Sequence, residues 1–176
     1  MGVCYQYSVV ALRIVAFLGY SGSGKTTTIE RLTSALVARG KRVGVIKHLH
    51  DYAPRDPAKD TDRFIMCGAN PVVGVAQNGL HLFLAGGGLE RALTIMGDAS
   101  PDYVFVEGFS VHPKLTGGDV LCVVCAKNEG EAAELIEKHA SRSIVCITGT
   151  ITNTTQKTEI RGIPILQDTE KLIQLI

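Results

Sequence analysis

Apolar residues in this chain come in short blocks, separated by polar stretches and by segments of helical period. Ile14–Leu18 is an unbroken apolar block of strand length. From Thr26 to Arg39, Ile29, Leu32 and Leu36 recur on one helical face, and Gly40 supplies a C-terminal stop. Lys41–Lys47, carrying Val43, Val45 and Ile46, predicts the next strand. His48–Arg63 is polar and holds Pro54 and Pro57, so it predicts a long loop running into a short helix over Thr61–Cys67. Pro71–Ala76 and Leu80–Leu84 predict two strands, and Leu89, Ala92, Leu93 and Met96 have helical spacing. Tyr103–Val106 reads as a strand ending at Glu107-Gly108, and Val120–Ala126 and Ile144–Thr148 as two more, flanking a helix over Glu131–Ala140. Gly162–Ile165 is extended, and Asp168 is placed to N-cap a last helix carrying Leu172, Leu175 and Ile176. Strands alternating with helices predict an α/β chain with a mostly parallel sheet, opened by a right-handed strand–helix–strand crossover.

Composition narrows this picture. The chain has 176 residues, 45% of them hydrophobic and 20% charged, which excludes a disordered chain and fits one domain over residues 14–176 after an N-terminal extension, 1–13. Lys and Arg total 18 against 17 Asp and Glu, a net charge of +1, so no basic surplus marks a nucleic-acid binder. The longest apolar run, Val120–Ala126, is strand-sized and far short of the roughly 18 residues that span a bilayer. No charge precedes Arg13, as a signal peptide would require, so a cytoplasmic protein is expected. Five cysteines form no disulfide framework. Cys122 and Cys125 are spaced as C-x-x-C, but on a strand they face opposite sides of the sheet, so buried core thiols are expected.

Chemistry concentrates between the first strand and the first helix. Gly19-Tyr20-Ser21-Gly22-Ser23-Gly24-Lys25-Thr26 fits G-x-x-x-x-G-K-[ST] at each specified position. Glycines let the backbone curl so that several amides point at one phosphate, with the positive end of the following helix aimed at the same place. Gly19, Ser21, Gly22, Ser23, Gly24, Lys25, Thr26 and Thr27 are the candidate nucleotide-binding residues, a P-loop. Lys25 supplies charge to the terminal phosphates, and the Thr26 hydroxyl suits Mg²⁺. Glu107, at the end of the Tyr103–Val106 strand, is the expected acidic partner, holding a metal-bound water or orienting the attacking one. Lys25 and Glu107 are thus the candidate catalytic pair, and Thr26 and Glu107 the candidate Mg²⁺ ligands. Lys47, His48, His50 and Asp51 lie at the carboxyl end of the second strand, where open α/β sheets bind ligands. With Asp60 and Arg63 they form a candidate switch or cofactor loop. Guanine-specific proteins often carry Asn-Lys-x-Asp; Ala126-Lys127-Asn128-Glu129 keeps only the Lys, and Thr148-Gly149-Thr150 is a second segment placed to close over a base. The residues indicate a purine nucleotide and leave the purine open.

Taken together, GYSGSGKTT, VGVIKHLHDY, DPAKDTDRFIMCGA and VFVEGF with PKL downstream resemble the molybdopterin-guanine dinucleotide biosynthesis protein MobB family from Ile14 to the C-terminal GIPILQDTEKLIQLI. Ala58 and Cys67 depart from that family's pattern. The resemblance implies a three-layer P-loop NTPase fold, bound GTP and Mg²⁺, and at most slow GTP hydrolysis. It also implies a homodimer acting as an adaptor, with molybdopterin and the enzymes that make its guanine dinucleotide as partners. Two other readings compete. A small-molecule kinase would need an arginine-rich lid, and Arg142 and Arg161 form no cluster. A metal-delivery GTPase is suggested by His48, His50, His81 and His112, without the dense His or Cys run such proteins carry.

Overall fold

A computed structural model of the chain describes residues 12–49, 58–109, 112, 115 and 119–176. His50, Asp51 and nearly all of the expected N-terminal extension lie outside the described residues. Chain contacts group the described residues into two compact units, one running to His48 and resuming from Leu93 to Ile176, the other spanning Leu49–Ala92.

The first unit is built on five parallel strands: β1 (Ile14–Leu18), β2 (Val43–Lys47), β5 (Tyr103–Glu107), β6 (Leu121–Cys125) and β7 (Ser143–Thr148), in the order β2-β5-β1-β6-β7. The strands β1, β5 and β6 are buried almost throughout, as their continuous apolar runs require of a sheet covered on both faces. The chain leaves β1 toward β2 on one side and reaches β6 and β7 on the other, so the strand order reverses at β1, where open sheets form a ligand crevice at their carboxyl edge.

Helix α1 (Lys25–Val37) buries Thr28, Ile29, Leu32 and Leu36. Those apolar residues join Val15, Phe17, Tyr103, Phe105, Val123, Cys125, Cys146, Leu172 and Ile176 in one core, where the Phe17 and Phe105 rings meet edge to face at 5.4 Å. Cys125 is in that core and Cys122 is not, although both are fully buried, as residues three apart on a strand should be. Arg13 belongs to the same unit: it donates to the Tyr103 hydroxyl (3.1 Å) and lies over its ring.

Helix α4 (Glu129–Lys138) starts earlier than its apolar pattern suggests, because the Asn128 side chain caps it by accepting from the Glu131 amide at 2.9 Å. Asp168 caps α5 (Thr169–Leu175) through the Glu170 amide at 2.8 Å. Between them, β8 (Glu159–Ile160) and β9 (Ile163–Pro164) form a two-residue hairpin around Arg161 and Gly162, both at positive φ. Ile165 then bridges in parallel to Ile147 and carries the chain along the β7 edge.

The second unit contains α2 (Asp60–Met66), the antiparallel hairpin β3 (Val72–Ala76) and β4 (Gly79–Phe83), and the start of α3 (Leu89–Ala99), which runs on into the first unit. Asn70 ties the base of the hairpin, accepting from the Ala85 amide at 2.8 Å. Val73 pairs with Leu82 and Val75 with Leu80, so these four side chains share one hairpin face, and all four are exposed.

Candidate functional site

The turn after β1 curls around the start of α1. The first intrahelical bond runs from the Thr28 amide to the Gly24 carbonyl (2.9 Å), so the amides of Lys25, Thr26 and Thr27 are those a helix leaves outside its ladder. Residues Ser21–Thr27 line a cleft of about 430 Å³, completed by Lys47, Glu107 and Thr150. The curl depends on two close backbone approaches. A Cβ on Gly19 would lie 2.2 Å from the Cys125 carbonyl oxygen, and one on Gly149 2.2 Å from the Ser23 carbonyl oxygen, both at positive φ. The loop after β7 is fastened to the P-loop there, with the Thr150 amide donating to the Ser23 carbonyl (3.3 Å) and Ile151 to Ala126 (2.9 Å). Ser23 itself is fully buried: its amide donates to the Tyr20 carbonyl (3.3 Å), its carbonyl accepts from the Thr150 amide, and its hydroxyl has no hydrogen-bond partner among the described residues.

Lys25 folds over this turn, donating to the carbonyls of Gly19 (2.9 Å) and Tyr20 (2.7 Å). Tyr20 is braced from α4: its hydroxyl donates to Glu134 at 2.6 Å and Lys138 lies over its ring. That carboxylate raises the Tyr20 pKa above its ordinary value, through the hydrogen bond first and burial second. Nothing in the motif pattern marks Tyr20, an unspecified position, for this contact.

Strand pairing places the acidic partner. Phe17 of β1 and Lys47 of β2 both register with Glu107, the last residue of β5. The Thr26 hydroxyl donates to the Glu107 carboxylate, at 3.1 and 3.2 Å from its two oxygens, and Lys47 Nζ pairs with Glu107 Oε2 at 3.3 Å. Glu107 is 9% exposed, and a carboxylate so buried needs such partners. A hydroxyl and a carboxylate, both hard oxygen donors, at the mouth of a phosphate-sized cradle fit Mg²⁺ by donor chemistry.

A second cleft of about 140 Å³ shares Gly24, Thr27 and Thr150 with the first and is lined further by Thr28, Arg31, Thr148, Gly149, Thr152, Asn153 and Gln167. Thr148-Gly149-Thr150 therefore does flank the cradle, while Lys127 pairs with Glu131 and Asn128 serves as the α4 cap. Arg31, Asn153 and Gln167 were not legible as site residues, since each contributes one side chain from a separate element. The only signal was that Gln167 follows the extended Ile163–Ile165.

His48 continues β2, donating its amide to the Glu107 carbonyl (2.8 Å), and its ring meets Phe109 edge-on at 4.8 Å. Asp60 and Arg63 belong to the other unit, where they pair with each other at 3.2 Å. Among the described residues no group of three or more His, Cys, Asp and Glu is placed to hold a metal. Cys122, Cys125 and Cys146 are free and buried, and burial pushes Cys125 and Cys146 up to about 12, which leaves them as inert thiols at neutral pH.

The sequence model of the molybdopterin guanine dinucleotide synthesis protein B family, MobB, matches residues 14–117. A Methanocaldococcus jannaschii protein provisionally named a molybdopterin-guanine dinucleotide biosynthesis adapter protein is 30% identical over 134 residues, 76% of this chain and 55% of that one. The Escherichia coli molybdopterin-guanine dinucleotide biosynthesis adapter protein is 34% identical over 102 residues, 54% of this chain and 58% of that one. The chain thus spans little more than half the length of these curated relatives. The crystal structure of Bacillus subtilis MobB shares the fold, with a TM-score of 0.71 at 24% identity, over 94% of this chain and 98% of that one.

Proposed function

This chain belongs to the MobB family, and on that premise we propose that it is a GTP-binding adapter in the step that joins a guanine nucleotide to molybdopterin, with Mg²⁺ as the nucleotide's counter-ion. The observation that carries the reading is the cradle: the Ser21–Thr27 loop around one cleft, the Lys25–Thr27 amides outside the helix ladder, Lys25 folded back onto the Gly19 carbonyl, and Thr26 hydrogen-bonded to Glu107 at 3.1 Å. Gly22 through Thr27 would hold phosphates, Lys25 would turn from the loop carbonyls to the terminal phosphates, and Thr26 with Glu107 would hold the metal directly or through water. A metal held by those two residues would supply neutralisation of phosphate charge. The second cleft would take the nucleoside. Guanine offers acceptors at O6 and N7 and donors at N1 and N2, and the cleft answers with Arg31 as donor and the amide oxygens of Asn153 and Gln167 as acceptors.

Turnover in this reading is slow or partner-dependent, since Glu107 is already engaged by Thr26 and Lys47. A cytoplasmic location belongs to the same proposal. Among the described residues no helix is long and apolar enough to cross a membrane. It acts as a homodimer. The exposed side chains of Val73, Val75, Leu80 and Leu82 on one hairpin face are the kind of patch that marks a protein interface, here between two copies.

The test is a reconstituted guanylyl transfer to molybdopterin by its transferase, with and without this chain. The expected result is stimulation that Lys25→Ala removes. Equal transfer rates with and without the chain would overturn the adapter role.

A further inference from the structure

Lys47 closes a triangle with the two residues read as metal ligands. Its ammonium lies 3.3 Å from Thr26 Oγ1 and 3.3 Å from Glu107 Oε2, while Thr26 Oγ1 lies 3.1 Å from Glu107 Oε1. The arrangement follows from register: Lys47 and Glu107 are paired last residues of parallel strands, so their side chains emerge together at the sheet's carboxyl edge. The strand fixes the Lys47 backbone, but its side chain is 48% exposed on a flexible four-carbon stem, whereas that of Glu107 is 11% exposed and held in place. The carboxylate stays, and the ammonium is free to swing.

We propose that Lys47 is an internal cation that competes with Mg²⁺ for Thr26 and Glu107, and that a nucleotide's terminal phosphates are its alternative partner. This deepens the nucleotide reading of the same cradle and rests on it for the second half. One carboxylate carries one negative charge, and an ammonium and a divalent ion on it together would repel at close range. Lys47 therefore leaves the two oxygens when a divalent cation takes them. Lys47 lines the same cleft as Lys25, so its ammonium has phosphate within the reach of its stem once nucleotide is bound. Metal alone is then held weakly, and metal with nucleotide tightly, because only the nucleotide gives the displaced lysine a new anion. Lys47 is in this sense a positioning residue that ties metal loading to nucleotide loading.

The two halves predict opposite signs for one substitution. Mn²⁺, followed by its electron paramagnetic resonance, is titrated into the full chain without nucleotide. Lys47→Gln should tighten Mn²⁺ binding at least about threefold, the scale of a half-exposed ion pair, and Glu107→Gln should abolish it. Unchanged or weaker Mn²⁺ binding by Lys47→Gln would overturn the competition. A fluorescent GTP analogue is then titrated in the presence of chelator, where Lys47→Gln should weaken binding by about threefold or more relative to the unaltered chain. If no form binds the analogue while the Mn²⁺ result holds, the nucleotide reading fails and the competition stands. Should Lys47→Gln not fold, ¹³C-labelled lysine in the unaltered chain serves instead: Mg²⁺ should shift the Lys47 Cε signal, and a signal unmoved at saturation would overturn the proposal.

Discussion

Gly149 shows how a single atom decides the site. A Cβ there would lie 2.2 Å from the Ser23 carbonyl oxygen, with φ at +97°, so neither the backbone nor its neighbour tolerates one. Gly149→Ala should lose about 2–4 kcal/mol in urea unfolding, from the positive φ and the overpacked contact together. The P-loop residues were legible because phosphate binding constrains adjacent positions: glycines, Lys25 and Thr26 occupy a fixed spacing, and local backbone geometry does the rest. Glu107 was legible for a related reason, standing where an apolar strand meets a glycine. Tyr20, Arg31 and Gln167 were not, because what makes them matter is contact between residues far apart in the chain. The Tyr20–Glu134 bond joins a loop position to a helix that sequence spacing cannot bring together.

Element by element, the apolar periods located the strands of the main sheet and helices α1, α3 and α4, while α2 was read from the polar loop before it and α5 from its Asp168 cap; most differences fell at the ends, where a side chain rather than a period sets the boundary. Helix α4 is the clearest instance. Its apolar residues Ala132, Leu135 and Ile136 suggest a start at Glu131, but Asn128 captures the Glu131 amide and moves the start to Glu129. Asn128→Ala should therefore cost about 1 kcal/mol of stability by chemical denaturation. The same helix ends at His139, which is 6% exposed, and burial, then Arg142 and Lys138, hold its pKa below the ordinary 6.5. The unfolded chain takes up this proton at a higher pH than the folded one. Its contribution therefore falls as pH drops through 6.5 and levels off below the depressed folded value. Thermal melts across that window should show the decline, and His139→Gln should flatten it.

At the scale of the whole molecule, the sheet order shows how a near-neutral chain would hold the highly charged ligand proposed for it. The reversal at β1 sets a helix start, Lys25, Lys47 and the β7 loop around one crevice, so the charge is local and the net of +1 has no bearing on it. The hairpin face of Val73, Val75, Leu80 and Leu82 lies outside that crevice's residues and needs a different explanation. Val75→Glu with Leu80→Lys should convert a dimer to a monomer by light scattering while leaving nucleotide affinity unchanged; an unaltered chain that is already monomeric would remove the dimer from the proposal. Most direct of all is calorimetric titration of Mg²⁺ with GTP, and separately with ATP, onto the unaltered chain and Lys25→Ala. Saturable GTP binding, weaker ATP binding and a loss of at least about tenfold in Lys25→Ala are expected, the last on the scale of a charge-assisted phosphate contact. GTP binding that is absent, or that Lys25→Ala leaves untouched, would contradict the nucleotide site.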